Sequence, residues 1–141
     1  MNVSAIEPLD PSAWVDSLAR MRTQIASHSD GECSSFLRKT FHLLVLSPAP
    51  LRPIFFPQLP EETFEHVLEE AQDIAALSLL KTDMSFHVAS ANDADAYVVK
   101  LRLPASQETI EIVNSSLARG IVLAISEAAI RLFEEPRTQR T

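Results

Sequence analysis

Alternation of apolar and polar positions predicts a β-hairpin in residues 84–103. In residues 84–89, Met, Phe and Val alternate with Ser, His and Ala, which is the period-two pattern of a strand with one buried face. Residues 89–96 contain Asn and Asp and no long apolar side chain, which predicts a reverse turn. The alternation of residues 97–103 points Tyr97, Val99, Leu101 and Leu103 one way and Lys100 and Arg102 the other.

After the hairpin the apolar spacing becomes helical. Pro104 cannot donate to a strand ladder, Ser106 can cap a helix, and Glu108 suits its first turn. Apolar residues then recur every three or four positions, which predicts one long amphipathic helix ending at residues 134–136. Its stripe consists of Ile110, Val113, Leu117, Ile121, Ala124, Ala128 and Leu132. Gly120 inside this helix indicates a bend or a close contact.

Helical spacing also predicts a first helix near the start of the chain. Asp10 can cap it, and Pro11 fits its first turn because that position needs no backbone N–H. The helix extends to about Ser27, with an apolar stripe of Trp14, Leu18, Met21 and Ile25.

Residues 33–46 fit two patterns. They form either a helix that buries one stripe or two strands joined at residues 38–40. In the strand alternative, Phe41, Leu43 and Val45 lie on one face, and His42, Leu44 and Leu46 lie on the other. The stripe of the helical alternative is Phe36, Leu37, Thr40, Phe41 and Leu44. We favour the two strands.

The proline-rich residues 47–57 predict extended backbone. Pro53 and Pro57 oppose a helix in residues 51–56, and Pro53 limits this segment to an edge strand. An apolar edge strand needs a cover, which a loop, a second subunit or a partner peptide could supply.

A second long helix is predicted to begin at Pro60 and reach Leu80. Pro60 suits its first position, and Glu61 and Glu62 suit its positive N-terminus. Its apolar stripe is wider than a single contact needs, which is typical of a helix in the core or between subunits. The elements together predict an α+β fold in the order helix, three strands, helix, two strands, helix, with an antiparallel sheet packed against helices.

Composition limits the functional classes. A length of 141 residues predicts one domain, with an arm at residues 1–10, the domain at 11–135 and a polar tail at 136–141. A net charge of −7 disfavours nucleic-acid binding. The single cysteine, Cys33, excludes an internal disulfide and favours a reducing compartment. No leader and no apolar run of membrane-spanning length is recognisable, so the sequence predicts a soluble cytoplasmic protein without membrane contact.

No residue pattern predicts catalysis, a metal or a cofactor. The four histidines, His28, His42, His66 and His87, include no pair at helical ligand spacing. The acidic residues near His66 are best explained as a solvated helix face. Cys33 has no neighbouring positive charge that would lower its pKa, and no nucleophile elbow occurs. We therefore expect a protein that is not an enzyme and has no cofactor.

Large apolar side chains are numerous for one small core. Either some of them lie exposed on the surface, or all of them pack in the core. A contiguous exposed apolar patch would mark a partner surface. The side chains in question are Phe36, Phe41, Phe55, Phe56, Leu46, Leu79 and Leu80.

The predicted order of elements resembles that of the class I type III secretion chaperones, the Tir-chaperone family. The matching parts are the first helix with residues 30–33 after it, the strand at 41–46, the acidic helix from 60–62, and the turn leading into residues 97–104. The likeness covers about residues 12–134. The crowding of Pro48, Pro50, Pro53 and Pro57 departs from the family pattern.

The resemblance implies a homodimer that holds the N-terminal segment of a secreted effector and keeps it soluble and competent for secretion. An extended segment would enter apolar grooves or add to a sheet edge. The implied partner-binding residues are Phe36, Phe41, Leu43, Val45, Ile54, Phe55 and Phe56. The implied dimer contact lies on the helix of residues 61–80, at Phe64, Val67, Leu68, Ala71, Ile74 and Ala75.

One alternative is an immunity or inhibitor protein that masks a folded toxin or enzyme. Small size and acidic character fit this class equally well. Such a protein would more often be monomeric when free, so the oligomeric state and the folded or extended form of the partner distinguish the two hypotheses.

Overall fold

The computed structural model describes residues 10–27, 33–80, 85–90, 96–103 and 108–139. Within them, five α-helices and a 3₁₀ turn precede three strands and a final helix. The elements are α1 (Pro11–Ser27), α2 (Cys33–Val45), the 3₁₀ turn (Ala49–Leu51), α3 (Arg52–Phe55), α4 (Glu61–Glu70), α5 (Gln72–Ser78), β1 (Ser85–Ser90), β2 (Tyr97–Arg102), β3 (Thr109–Asn114) and α6 (Leu117–Gln139).

The predicted hairpin is confirmed as β1 and β2, which pair in antiparallel register with Val88 opposite Val99. Val99 and Leu101 are fully buried, whereas Lys100 and Arg102 are exposed, as the alternation predicted. The turn predicted between the strands falls largely on residues 91–95, outside the described residues. The fold class is also confirmed, because the antiparallel sheet packs against helices in a mixed α+β fold.

The predicted start of the last helix is wrong, because a third strand occupies residues 109–114. β3 pairs with β2 in antiparallel register, so the sheet order is β1-β2-β3. Thr, Ile and Val are frequent in β3, and these residues favour strands. The helix is capped at Ser116 instead of Ser106, since the Arg119 N–H donates to Ser116 Oγ at 3.2 Å. The Ser116 N–H itself donates to Asn114 Oδ1 at 2.9 Å, which fixes the turn before α6.

The strands favoured for residues 33–46 are also wrong, because this segment is helix α2. The five residues of the helical alternative are all at most 5% exposed. A strand pair would have needed a tight turn at residues 38–40, where Arg, Lys and Thr offer neither Gly nor Asn. The Thr40 hydroxyl donates to the Phe36 carbonyl at 2.7 Å, so the helix satisfies its buried polar side chain locally.

The predicted edge strand at residues 51–56 is replaced by the 3₁₀ turn and the single-turn helix α3. Pro53 lies in the first turn of α3, where its missing N–H leaves no helical bond unmade. Pro57 follows the C-cap residue Phe56, whose backbone is extended, as expected for a residue before proline. The observed order of elements therefore differs from the order on which the family resemblance rests.

The helix predicted from Pro60 to Leu80 begins as expected but is broken at Ala71. Pro60 is the N-cap of α4, and Ala71 has φ −156° and ψ 97°, so it separates α4 from α5. No Gly or Pro marks this break in the sequence. At the other end of the chain, α6 continues through Pro136 to Gln139, beyond its predicted end.

Helix α6 joins the helical part of the fold to the sheet. It contacts α1, α2 and α5 as well as β2 and β3. One hydrophobic cluster extends from Trp14 to Leu132, and its largest fully buried side chains include Trp14, Phe55 and Phe64. Within α6 the cluster takes in Ala118, Ile121, Val122, Ala124, Ile125, Ala128 and Ala129.

Charged side chains also link α6 to the elements on either side. Glu127 of α6 pairs with Arg22 of α1, and Arg131 Nε donates to Glu127 Oε2 at 3.2 Å. Arg131 Nη1 donates to Glu108 Oε1 at 2.8 Å. The hydrogen bonds that Arg131 donates to Glu108 and Glu127 raise the pKa of its guanidinium above the usual value. These side chains are partly exposed, so each pair contributes about 1 kcal/mol or less to stability.

Candidate functional site

An apolar groove lies between the end of α2 and the segment that leads into α4. Its volume is about 490 Å³, within the range of roughly 300–1,000 Å³ that is usual for ligand pockets. Val45 and Leu46 line it from the end of α2, and Phe56 and Leu59 line it from the loop; all four are half-buried. Phe41 lines it from within α2 and is almost fully buried. The groove therefore offers apolar walls to a side chain from outside.

The floor of the groove is held by aromatic packing. The ring of Phe41 stacks on the ring of Phe64 from α4, with centroids 4.5 Å apart and an interplanar angle of 23°. Such a pair contributes about 0.5–1.5 kcal/mol beyond the burial of its area. Because Phe64 itself is fully buried, the position of Phe41 is fixed by the core.

The α2 wall is fixed by side chains that bind the last carbonyls of the helix. A helix leaves its final carbonyls without helical partners, and these groups need other donors. Trp14 Nε1 of α1 donates to the Leu43 carbonyl at 2.7 Å. The Ser47 hydroxyl, which is fully buried, donates to the Leu44 carbonyl at 2.7 Å. These bonds hold the end of α2 against α1 and begin the loop that forms the opposite wall.

Arg52 connects the two walls of the groove. Its Nη2 donates to the Val45 carbonyl at 3.1 Å, and its Nε donates to the Ser47 carbonyl at 3.2 Å. Its guanidinium carbon lies 5.0 Å from the centroid of the Phe56 ring, which is a cation–π contact. Arg52 therefore satisfies the end of α2 and positions Phe56 as the loop wall. Arg52 can make its two hydrogen bonds and its cation–π contact together only when the end of α2 and the loop that carries Phe56 are both in the positions seen here.

A contact between an imidazole and a carboxylate lies at the rim of the groove. His42 Nε2 of α2 is 3.2 Å from Glu61 Oε2 of α4, and both residues line the groove. Their side chains are 54% and 64% exposed, so the pair contributes little to stability. A polar rim of this kind can exchange its partners with an incoming chain at small cost. The arrangement suits the binding of an apolar group with polar contacts around it.

Five of the predicted partner-binding residues divide between the core and the groove. Phe36 and Phe55 are 5% and 1% exposed, and their side chains lie in the core. Phe41 is 3% exposed, yet it reaches the groove. Val45 and Phe56 line the groove and are half-buried. The structure thus brings Phe41, Val45 and Phe56 together, although all three were predicted on strands.

The remaining two predicted residues do not line the groove. Leu43 is half-buried and lines a neighbouring pocket, and Ile54 is half-buried against the core. Sequence reasoning missed Leu59 and Arg52 as parts of the site. Arg52 stands next to a proline in a segment interpreted as a strand, so nothing in the sequence indicated that it binds the end of α2. Leu46 was noted only as a surplus apolar residue.

Half of the predicted dimer residues are buried in the core of their own chain. Phe64, Leu68 and Ala75 are at most 3% exposed and belong to the core. Ile74 on α5 is 58% exposed. The two remaining residues are half-buried: Val67 and Ala71.

A second exposed apolar position lies at the edge of the sheet. Phe86 of β1 stands opposite the buried Leu101, so it belongs to the face that packs on α6, but it is 43% exposed. Within the described residues, β1 pairs with β2 alone. The outer edge of β1 therefore offers backbone donors and acceptors beside an aromatic side chain.

The described residues hold no group of three or more His, Cys, Asp or Glu side chains that could bind a metal ion. His66 pairs with Glu70 at 3.2 Å on the exposed face of α4. His28 lies outside the described residues, as does the side chain of Cys33. In the part of the chain that the structure describes, no helix is both long enough and apolar enough to cross a membrane.

The chain matches no protein-family model, and no curated protein and no solved structure is significantly similar to it.

Proposed function

We propose that this protein binds an extended polypeptide segment of another protein and takes an apolar side chain of that segment into the groove beside α2. The observation that carries the proposal concerns Leu46 and Phe56. Both are half-buried and line the groove, but within the described part of the chain they are not among the partly buried residues that pack against the core. An apolar side chain held at a groove without core packing is a suitable contact for a partner.

The energetics favour a partner that makes several contacts. Burying one Leu, Ile or Phe side chain contributes about 1.5–3 kcal/mol. Association itself costs about 4–15 kcal/mol in lost translational and rotational freedom, so one anchor gives no stable complex. An extended segment can add further contacts along its length, including backbone hydrogen bonds of the kind that the β1 edge offers.

The narrower form of the proposal is a secretion chaperone. In that form the bound segment is the N-terminal part of a type III secreted effector, and the protein acts as a cytoplasmic homodimer without a cofactor. Small size, acidic character and a groove for an extended apolar segment support it. Peptide binding at the groove and the dimeric state in solution can both be tested without knowing the effector.

The groove proposal is tested with a phage library of random ten-residue peptides selected on the purified protein. Selected peptides should share an apolar residue, and their affinity should fall at least tenfold for Leu46→Ser. The matched control is Val113→Ser, which shortens an apolar side chain that is 57% exposed on β3, outside the groove and outside the proposed dimer contact, and it should change affinity less than twofold.

Two results would contradict the groove proposal. One is a selection that yields no binding peptide. The other is a set of peptides that bind Leu46→Ser and Val113→Ser equally well. Thermal unfolding of both variants checks that each remains folded, and Phe56→Ser serves in place of Leu46→Ser where that variant is not.

A further inference from the structure

We infer that the segment bound in the groove carries a carboxylate side chain next to its apolar anchor, and that Arg20 and Lys39 bind this carboxylate. The inference rests on the proposed function and specifies its partner. It comes from a second pocket of about 380 Å³ between α1 and α2. Arg20 of α1 and Lys39 of α2 both line this pocket and are exposed.

The second pocket adjoins the groove through α2. His42 lines both, and Leu43, which follows it, lines the second pocket. Because one residue borders both spaces, a single extended segment of a few residues can occupy the two together. Its apolar side chain would lie against Leu46 and Phe56, and a neighbouring side chain would reach the second pocket.

The two cations of this pocket, Arg20 and Lys39, differ from their neighbours Arg22 and Arg38, which have carboxylate partners. Arg22 pairs with Glu127, and Arg38 Nε donates to Glu65 Oε1 at 2.8 Å. Among the described residues, neither Arg20 nor Lys39 has an ion-pair partner.

Asp16, one turn before Arg20 on α1, makes no ion pair with it among the described contacts. In a chain of net charge −7, two cations without carboxylate partners therefore line one pocket. Their natural complement is an anionic group on the partner.

An acidic side chain fits this place better than a nucleic acid. A phosphate backbone needs many neutralising cations along its path to bind well. Here the path from the pocket into the groove meets Glu61, whose side chain is 64% exposed. A single carboxylate next to an apolar residue satisfies Arg20 and Lys39 and leaves the repulsion at Glu61 small. It could also take the place of Glu61 as the partner of His42.

The test uses three fluorescein-labelled ten-residue peptides in which Leu or Phe alternates with Asp, Asn or Lys. Affinity is measured by fluorescence anisotropy at 50 mM and 500 mM NaCl. We expect the Asp peptide to bind at least tenfold more tightly than the Asn peptide at 50 mM, and the difference to fall below threefold at 500 mM because salt screens exposed charges. The Lys peptide should bind most weakly.

The variants Arg20→Glu and Lys39→Glu should each weaken the Asp peptide at least tenfold and change the Asn peptide less than twofold. Lys100→Glu is the matched control: it makes the same change of net charge on β2, at an exposed position that neither pocket includes. It should alter the affinity of the Asp peptide less than twofold. Arg20→Gln and Lys39→Gln remove the positive charge without adding a negative one, and they should also weaken binding of the Asp peptide, by a smaller factor.

The outcomes separate the inference from the proposed function. Equal binding of the Asp and Asn peptides, with loss of both in Leu46→Ser, overturns the inference and supports the groove. An equal effect of Lys100→Glu and Lys39→Glu also overturns it, because net charge alone would then explain the preference. Failure of all three peptides to bind overturns both proposals. Binding of a labelled oligouridylate that is lost in Lys39→Glu would make the pocket a nucleic-acid site and overturn the inference.

Discussion

Gly120 sets the distance between α6 and the sheet. A Cβ atom at this position would lie 3.3 Å from Val99 Cγ2 and 3.6 Å from Asn114 Cβ. The first distance is shorter than an ordinary contact between carbon atoms. The sequence indicated a bend or a close contact at Gly120, and the structure shows the close contact.

Two opposing effects decide what Gly120→Ala does. The new methyl group crowds Val99, and overpacking costs about 1–3 kcal/mol. Replacing Gly inside a helix gains about 1 kcal/mol. We expect a net loss of about 1 kcal/mol in the free energy of unfolding, measured by urea denaturation.

Val99→Ala removes the atom that Gly120→Ala would crowd. In that background the same substitution should therefore stabilise the protein, so that its effect changes sign. A gain of equal size in both backgrounds would show that Val99 does not limit the approach of α6.

Individual buried positions were predictable where alternation continues over a whole strand. Val99, Leu101 and Leu103 are buried as expected. Phe86 shows the limit of the method, because its pairing places it on the inner face although it remains 43% exposed. Periodicity identifies the face of a side chain, whereas the extent of the neighbouring element decides whether that face is covered.

At the scale of elements, ambiguous periodicity explains the errors. In α2, consecutive apolar residues at 43–46 imitate a strand, although Phe36, Leu37 and Thr40 already define a helical stripe. In β3, Ile110 and Val113 have the spacing of one helix face, but in the strand they lie on opposite faces, so Ile110 is buried and Val113 is exposed. Each segment is too short for its pattern to exclude the other structure, and tertiary packing makes the choice.

The candidate groove was only partly predictable for the same reason. The family resemblance implied Phe41, Val45 and Phe56 as partner-binding residues, and the structure places all three at the groove. Their neighbourhood depends on the way the loop after α2 folds back, and this depends on Arg52. A side chain that binds carbonyls of a preceding helix leaves no periodic signal in the sequence.

Arg52 provides a test of this loop. We expect Arg52→Ala to lower the free energy of unfolding by about 2 kcal/mol, because two carbonyls lose a charged donor and Phe56 loses its cation–π contact. Peptide affinity for the groove should fall at least fivefold. Arg52→Lys should recover less than half of each loss, since an ammonium group cannot reproduce the planar geometry of guanidinium.

The control is Arg38→Ala, which removes an exposed ion pair with Glu65 outside the groove. It should cost about 0.5 kcal/mol and leave peptide affinity unchanged. Equal losses for Arg38→Ala and Arg52→Ala would contradict the role of Arg52 in forming the wall. Unfolding is followed by circular dichroism in urea and affinity by fluorescence anisotropy.

At the scale of the whole molecule, the proposed homodimer can be tested at α5. Ile74 is 58% exposed, whereas Leu68 on α4 is 3% exposed and lies in the core. We expect wild type to have about twice the chain mass of 15.6 kDa by light scattering, and Ile74→Asp to be a folded monomer. Its unfolding should stay cooperative, because the substitution affects the surface of each subunit, but its melting temperature should be lower because the stabilisation by association is lost.

Leu68→Asp tests whether Leu68 lies in the core of one subunit or at the dimer interface. It places a charge in the core, so it should abolish cooperative unfolding instead of producing folded monomers. A monomeric wild type would contradict the dimer proposal. A dimeric Ile74→Asp would place the contact elsewhere.

The position of α6 has a consequence for synthesis on the ribosome. Because α1, α2 and α5 contact α6, these three helices share a core with the element that is synthesised last among those described. While residues 85–116 are being translated, the surface that α6 will cover remains bare on the nascent chain. Folding should therefore be complete only after α6 emerges from the ribosome. Until then, we expect general chaperones to bind the exposed apolar surface of the nascent chain.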